Sequence, residues 1–246
     1  MPVSRNSRAS RISRAARTDA AWIKQHVGYV PELHFIYRWM RVHEAIRFTS
    51  SFYPAWNATL YDELLTRFQL DPRKKVRHMS KGMVVKLALL LALAHEPEVL
   101  ILDEATSGLD PLVREELLDG VLRRMCDGRR TVLLASHTLQ DVQRLADRVG
   151  ILYDGQLLVD RPIDELLEST KTLRAVLSDV HRPRHVPVGT IFDHVEGREW
   201  SVTLSDCSPD AIEELRERNP VDHVEEVSLS LEEVFKAYVR GRRAIA

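Results

Sequence analysis

The sequence predicts an α/β fold: a parallel β-α-β core, a helical region ahead of it and a small α+β appendage behind it. Three observations predict it. Residues 99–102 and 131–135 are short apolar runs of the kind that form buried parallel strands, and a segment of helical periodicity separates them. Residues 33–78 read as mostly helical and are rich in aromatic side chains. After about residue 170 the pattern changes to alternating, strand-like segments.

The first 18 residues stand apart. They contain no acidic residue and no glycine, and Arg5, Arg8, Arg11, Arg14 and Arg17 recur at every third position. An Arg- and Ser-rich, acid-poor start resembles an organellar transit peptide. Val3 and Ile12 are its only large apolar residues besides Met1, so it has no apolar face. It is expected to be a disordered basic tail or the product of a misplaced start.

From Val27 the chain reads as folded. Residues 27–30 form a short apolar run stopped by Pro31, a strand leading into a loop. Ser80 is a good N-cap for a helix that runs through Leu87 and Leu91 to His95, where Pro97 stops it. Residues 99–102 follow as a strand expected to be buried. Asp110 and Pro111 open the next helix as cap and first residue. Val113, Leu117, Val121 and Leu122 keep helical spacing, and Gly128 closes it. Residues 131–135 are a second strand expected to be buried, joined to the first by a right-handed crossover. Leu139, Val142, Leu145 and Ala146 mark another amphipathic helix. Asp154-Gly155 is a hairpin turn between two short strands, and residues 162–168 read as a closing helix. Ser230 and Glu233 form a capping box for a last helix with Leu231, Val234, Phe235 and Tyr238 on one face. The expected organisation is a tail at 1–18, a core at 19–168 with a helical subdomain at about 33–95, and an accessory region at 169–246.

Composition narrows the class. The 246 residues are 44% hydrophobic and 29% charged, enough to bury a sizeable core. A formal net charge of −1 provides no global field for nucleic acid, and no nucleic-acid partner is expected. Cys126 and Cys207 form no CxxC pair, which fits a reducing compartment. The longest apolar run, 87–94, is far shorter than the ~18–20 residues that span a bilayer.

Chemistry concentrates at the ends of the two core strands. Val99, Leu100, Ile101 and Leu102 deliver Asp103 and Glu104 to the C-terminal edge of the sheet, where ligands bind in open α/β folds. One carboxylate suits a magnesium ion and the other suits an attacking water. Standing alone, such a pair reads as solvated acids in a turn. The neighbouring strand, however, delivers His137 to the same edge, where it can sense a phosphate. Upstream, Met79-Ser80-Lys81-Gly82-Met83 sits at a helix start whose N–H groups form an anion site; alone it reads as an ordinary capped helix.

Together these stretches resemble the ABC ATPase family. Residues 79–83 resemble its signature motif, usually LSGGQ, with Ser80 and Gly82 retained. Lys81 and Met83 depart from it in a way that resembles ABC-2 exporters, including the Ytr-like branch. Residues 99–104 match Walker B with its catalytic glutamate, residues 107–110 the D-loop, and His137 the switch histidine. Residues 27–32 match the strand entering the Q-loop, with Glu32 where glutamine is usual, and Ala105 replaces a common proline.

The resemblance covers roughly residues 20–168 and the last helix. It implies a P-loop NTPase-like ABC ATPase core, incomplete at its N-terminus. It implies Glu104 and His137 as catalytic residues, Asp103 as a metal ligand, and Ser80, Lys81, Gly82, Asp110 and Glu32 as nucleotide-binding residues. The implied cofactors are ATP and Mg2+. The implied partners are a transmembrane permease and a second ABC subunit, at the cytoplasmic face of the plasma membrane. The implied task is to energise export, with the aromatic stretch 33–68 as a candidate docking surface or as helical core.

One motif is missing. None of the ten glycines is followed by Lys and then Ser or Thr, so the sequence contains no GxxxxGK[ST] loop. In the family, each ATP lies between the P-loop, Walker B, Q-loop and histidine of one subunit and the signature and D-loop of the other. The expectation is therefore that Ser80, Gly82 and Asp110 can serve a partner's nucleotide, whereas Asp103, Glu104 and His137 lack a loop in cis. A non-catalytic subunit beside an intact partner and a truncated inactive product are the alternatives.

Overall fold

A computed structural model describes residues 20–33, 35–118, 130–178, 185–208 and 210–245. The basic stretch at 1–18, Val121, Leu122, Cys126 and the predicted helix end at Gly128 lie outside them. The chain divides into two units, residues 1–137 and 138–246. The change of pattern near residue 170 falls inside the second.

The first unit is built on three parallel strands in the order β1-β2-β3. They are β1 (Val27–Val30), β2 (Val99–Asp103) and β3 (Thr131–Ala135). Val27 lies opposite Val99, and Asp103 opposite Ala135, so the strands end level at their C-terminal edge. A short helix, α1 (Ala20–His26), precedes β1, where the sequence offered no helix signal. Its visible support is the stack of Trp22 on His26 one turn later, with ring centroids 4.1 Å apart.

Helices α2 (Val42–Ser50) and α3 (Ala58–Arg67) form the aromatic-rich region, together with a 3-10 turn at Val76–His78. Glu44 accepts the Arg41 N–H at 2.7 Å and caps α2, and Asn57 accepts the Leu60 N–H at 2.9 Å and caps α3. Helix α4 (Lys81–Leu93) starts where predicted, with Ser80 Oγ accepting the Met83 N–H at 3.3 Å. Val85, Leu87, Leu89, Leu90 and Leu93 bury it on nearly every side, as befits a helix at the centre of a core. Gly28 permits its close approach to β1: a Cβ there would stand 2.5 Å from the Ala92 carbonyl oxygen. Helix α5 (Pro111–Leu117) begins on Asp110, whose Oδ1 accepts the Leu112 N–H at 3.0 Å.

One expectation fails. β2 buries Leu100 and Leu102, but β3 is not a buried strand, and Leu133 is 59% exposed. β3 stands at the end of the strand order, and among the described residues no strand pairs with its outer side. The apolar run correctly marked a strand of a parallel sheet, while burial depends on neighbours the run cannot specify.

The second unit opens with α6 (Leu139–Leu145) and the hairpin β4 (Arg148–Tyr153) and β5 (Gln156–Pro162). Asp154 (φ 48°) and Gly155 (φ 73°) make its turn, both left-handed as a type I′ turn requires. Helix α7 (Ile163–Ser169) follows. An antiparallel sheet in the order β7-β8-β6-β9 comprises β6 (Lys171–Leu177), β7 (Thr190–Glu196), β8 (Glu199–Leu204) and β9 (Val221–Ser228). Helix α8 (Ala211–Arg218) packs with this sheet around Trp200, Leu173, Leu177, Val202 and Leu215. The last helix, α9 (Leu231–Ile245), carries the predicted capping box: Glu233 Oε2 accepts the Ser230 N–H at 2.8 Å. Its predicted face is buried at Leu231 and Val234 and half-buried at Phe235 and Tyr238.

Candidate functional site

The C-terminal edge of β2 and β3 gathers three of the predicted residues. Asp103 ends β2, Glu104 follows it, and His137 lies two residues beyond β3. His137 Nδ1 stands 2.6 Å from Glu104 Oε2. The histidine is exposed, and the glutamate is three-quarters buried at its side chain. With Nδ1 donating to the carboxylate, the ring turns its other nitrogen outward, and Glu104 keeps one oxygen for a water.

Glu104 has an unusual backbone. Its φ is 49°, in the left-handed region that residues with a Cβ rarely occupy. Two bonds hold it there. Its N–H donates to the Ala135 carbonyl at 2.9 Å, and its carbonyl accepts the Ser107 N–H at 2.9 Å. The chain thus turns sharply off β2, and the carboxylate meets His137.

Asp103 has a partner that sequence reasoning missed. The Tyr29 hydroxyl donates to Asp103 Oδ2 at 3.0 Å. Tyr29 lies opposite Ile101 in the register, so it shares a face with Asp103 two residues further on. The bond and the negative charge of Asp103 raise the Tyr29 pKa above that of an ordinary phenol, with the hydrogen bond the larger cause. Tyr29 therefore remains a donor, and Asp103 Oδ1 remains available to a cation. One hard oxygen of this kind fits magnesium as one ligand of several, because Mg2+ usually keeps waters and takes phosphate oxygens alongside one or two carboxylates. No group of three or more His, Cys, Asp or Glu among the described residues could form a cage by itself.

Ser80, Lys81 and Gly82 sit together at the start of α4. Ser80 Oγ accepts from the helix, so its own proton remains for an outside acceptor. Lys81 and Gly82 lie against the loop after Glu104. A Cβ on Gly108 (φ 64°) would stand 2.7 Å from Lys81 Nζ, and a Cβ on Gly82 would stand 3.1 Å from a Val113 methyl. Gly108 supplies the left-handed turn and Gly82 the room against Val113, so the start of α4 lies against the segment that leads through Leu109 to Asp110. The sequence signalled each glycine but not that they seat the two loops on one another. Glu32 is exposed in the bend after β1, and the structure does not bring it into either cluster.

Aromatic rings form a separate exposed run. Tyr37 contacts Trp39 and Phe48, each with centroids 5.9 Å apart, and Phe48 meets Phe52 edge-on at 5.2 Å. Trp39 is 64% exposed and Phe52 62%, whereas Trp56 is half-buried. Among the described residues, no helix is long and apolar enough to cross a membrane.

A model of the ABC transporter family matches residues 6–107, beginning inside the basic stretch. Over 225 residues the chain is 29% identical to the ABC transporter ATP-binding protein YtrB of Bacillus subtilis, covering 90% of this chain and 75% of that one. It is 45% identical over 111 residues to the daunorubicin resistance ATP-binding protein DrrA3 of Streptomyces coeruleorubidus, covering 44% and 35%. A solved ATP-binding subunit of an ABC transporter superposes with a TM-score of 0.56 at 26% identity, covering 63% of this chain and 65% of that one. The chain spans about half or less of the length of several other curated relatives it matches.

Proposed function

We propose that the chain is an ABC transporter ATP-binding protein that binds ATP with magnesium, hydrolyses it and energises a separate membrane permease, in export. The observation that carries this reading is the His137–Glu104 contact beside Asp103 at one sheet edge. Glu104 accepts a proton from the attacking water. His137 fixes the carboxylate and turns its outer nitrogen toward the terminal phosphate. Asp103, held by Tyr29, takes the magnesium ion, which neutralises phosphate charge when bound. The resistance function in the DrrA3 name supports export.

Ser80, Lys81, Gly82 and Asp110 act on a nucleotide held by a second ABC subunit. Their support is the contiguous seat that Gly82 and Gly108 create, with the α4 N-terminus as anion site. Glu32 follows β1 as the Q-loop residue. The phosphates themselves require a GxxxxGK[ST] loop that these 246 residues do not contain. The test is equilibrium dialysis with MgATP. These residues alone are expected to retain little nucleotide, and a complex with an intact ABC subunit is expected to retain it. Tight, magnesium-dependent binding by these residues alone overturns this division of roles.

The exposed rings of Tyr37, Trp39, Phe48 and Phe52 are the docking face for the permease, because contiguous exposed apolar patches mark interaction sites. Trp39→Ser with Phe52→Ser is expected to weaken association roughly thirtyfold or more, the effect of losing a hot-spot aromatic. Titration of the permease against both proteins measures it. Unchanged affinity would return these rings to a merely structural role.

A further inference from the structure

Residues 38–43 and 72–77 of the first unit run side by side as a short antiparallel pair. The Val42 N–H donates to the Lys74 carbonyl at 3.0 Å, the Val76 N–H donates to the Met40 carbonyl at 2.9 Å, and Arg41 stands opposite Lys75. Alternation along extended chain then sorts the side chains. Met40, Val42 and Val76 are buried on one side. Trp39, Arg41, Arg73, Lys75 and Arg77 fall on the other, where Lys75 is half-buried and the rest are exposed.

Four cations thus share one small surface. The carboxylates next to it, Glu44 and Asp71, accept backbone N–H groups, from Arg41 at 2.7 Å and from Arg73 at 2.9 Å. They offset part of the charge but engage no guanidinium or ammonium. The Arg41 guanidinium donates to the Arg73 carbonyl, and Arg77 donates to the His78 ring. Among the described residues, none of the four cations forms an ion pair with a carboxylate. A local positive field therefore stands on a chain whose formal net charge is only −1. Trp39 joins this surface to the exposed rings of Tyr37, Phe48 and Phe52. Exposed aromatic rings beside arginine and lysine suit the boundary between water and an anionic bilayer, where nucleic acid would call on the cations alone.

We propose that this surface rests on the anionic phospholipid headgroups of a membrane, with Arg41, Arg73, Lys75 and Arg77 on the phosphates and Trp39 among the headgroups. Each arginine or lysine near such a surface raises partition about fivefold. The lipid contact requires no permease and no nucleotide, so it stands or falls apart from the docking of the aromatic rings on a permease.

Sedimentation of the full chain with vesicles, in about 0.15 M salt, tests this. Arg73→Gln with Lys75→Gln and Arg77→Gln is expected to lower partition onto vesicles of equal parts phosphatidylcholine and phosphatidylglycerol roughly a hundredfold. Arg73→Lys with Arg77→Lys keeps the charge and is expected to stay within about twofold of the unaltered chain. Arg240→Gln with Arg242→Gln and Arg243→Gln removes the same charge from the second unit and is also expected to stay within about twofold. The arginines of residues 1–18 are common to all these proteins and cancel in the comparison. Trp39 emission, read as the difference between the unaltered chain and Trp39→Phe, is expected to be quenched by brominated phospholipid, a readout independent of how the glutamine variant folds. Equal loss in both triple-glutamine variants reduces the effect to net charge and overturns the proposal. Equal partition onto pure phosphatidylcholine, or an unquenched Trp39, overturns it as well. A short DNA duplex bound more tightly than the vesicles overturns the choice of a lipid surface.

Discussion

Replacing Glu104 with glutamine is expected to lower ATP turnover by the assembled transporter roughly a hundred- to ten-thousandfold, the usual contribution of a general base. The amide keeps the shape of the carboxylate and a hydrogen-bonding contact with His137, but it cannot take a proton. Nucleotide binding should persist, so a filter-binding assay beside the turnover assay separates chemistry from affinity. The cluster supports a large effect: the carboxylate is mostly shielded from solvent and is held by His137 on one oxygen at 2.6 Å. Turnover that survives this change, but collapses when Gly82→Asp blocks the seat of Lys81 and Gly108, would leave the chain as a donor to its partner's nucleotide and no base of its own.

Trp200→Ala is expected to destabilise the second unit by about 3–5 kcal/mol, out of a typical domain stability of about 5–15 kcal/mol. The indole is fully buried among Leu173, Leu177, Val202 and Leu215. It also donates from Nε1 to Asp193 at 3.2 Å, a bond that water replaces at the exposed carboxylate when the indole is removed. Urea unfolding followed by circular dichroism measures the shift. The sequence provides a convenient internal report, because the other tryptophans, Trp22, Trp39 and Trp56, all precede residue 138. Emission from Trp200 in a Trp22→Phe, Trp39→Phe, Trp56→Phe background therefore follows the second unit alone and gives the reference transition against which the Trp200→Ala shift in circular dichroism is read. A loss below about 1 kcal/mol would mean that the surrounding leucines collapse into the space.

Local chemistry made much of the fold legible. Ser80 and Asp110 cap their helices through their own side chains, and Asp154-Gly155 dictates a turn by conformational preference alone. Such signals are contained within a few residues. Features that depend on distant partners were not legible. Tyr29 looks like any strand tyrosine until the β1-β2 register sets it on the face of Asp103, 74 residues away. Lys81 reads as a charge at a helix start until Gly108 is folded beneath it. The exposure of Leu133 follows from the position of β3 in the sheet, and helix α1 is too short to show a periodicity. In the candidate site, the meeting of Asp103, Glu104 and His137 at one sheet edge was legible, whereas the Tyr29 bond to Asp103 and the contact of Lys81 with Gly108 were not.

The backbone at Glu104 carries a further consequence. A side chain held at φ 49° is a standing burden on the folded state, tolerated because the Ala135 and Ser107 bonds enforce it. Glycine would relieve that burden and delete the carboxylate in a single change. At this position stability and the proposed proton transfer therefore pull in opposite directions, and Glu104→Gly is expected to raise the resistance of the first unit to unfolding while removing the carboxylate.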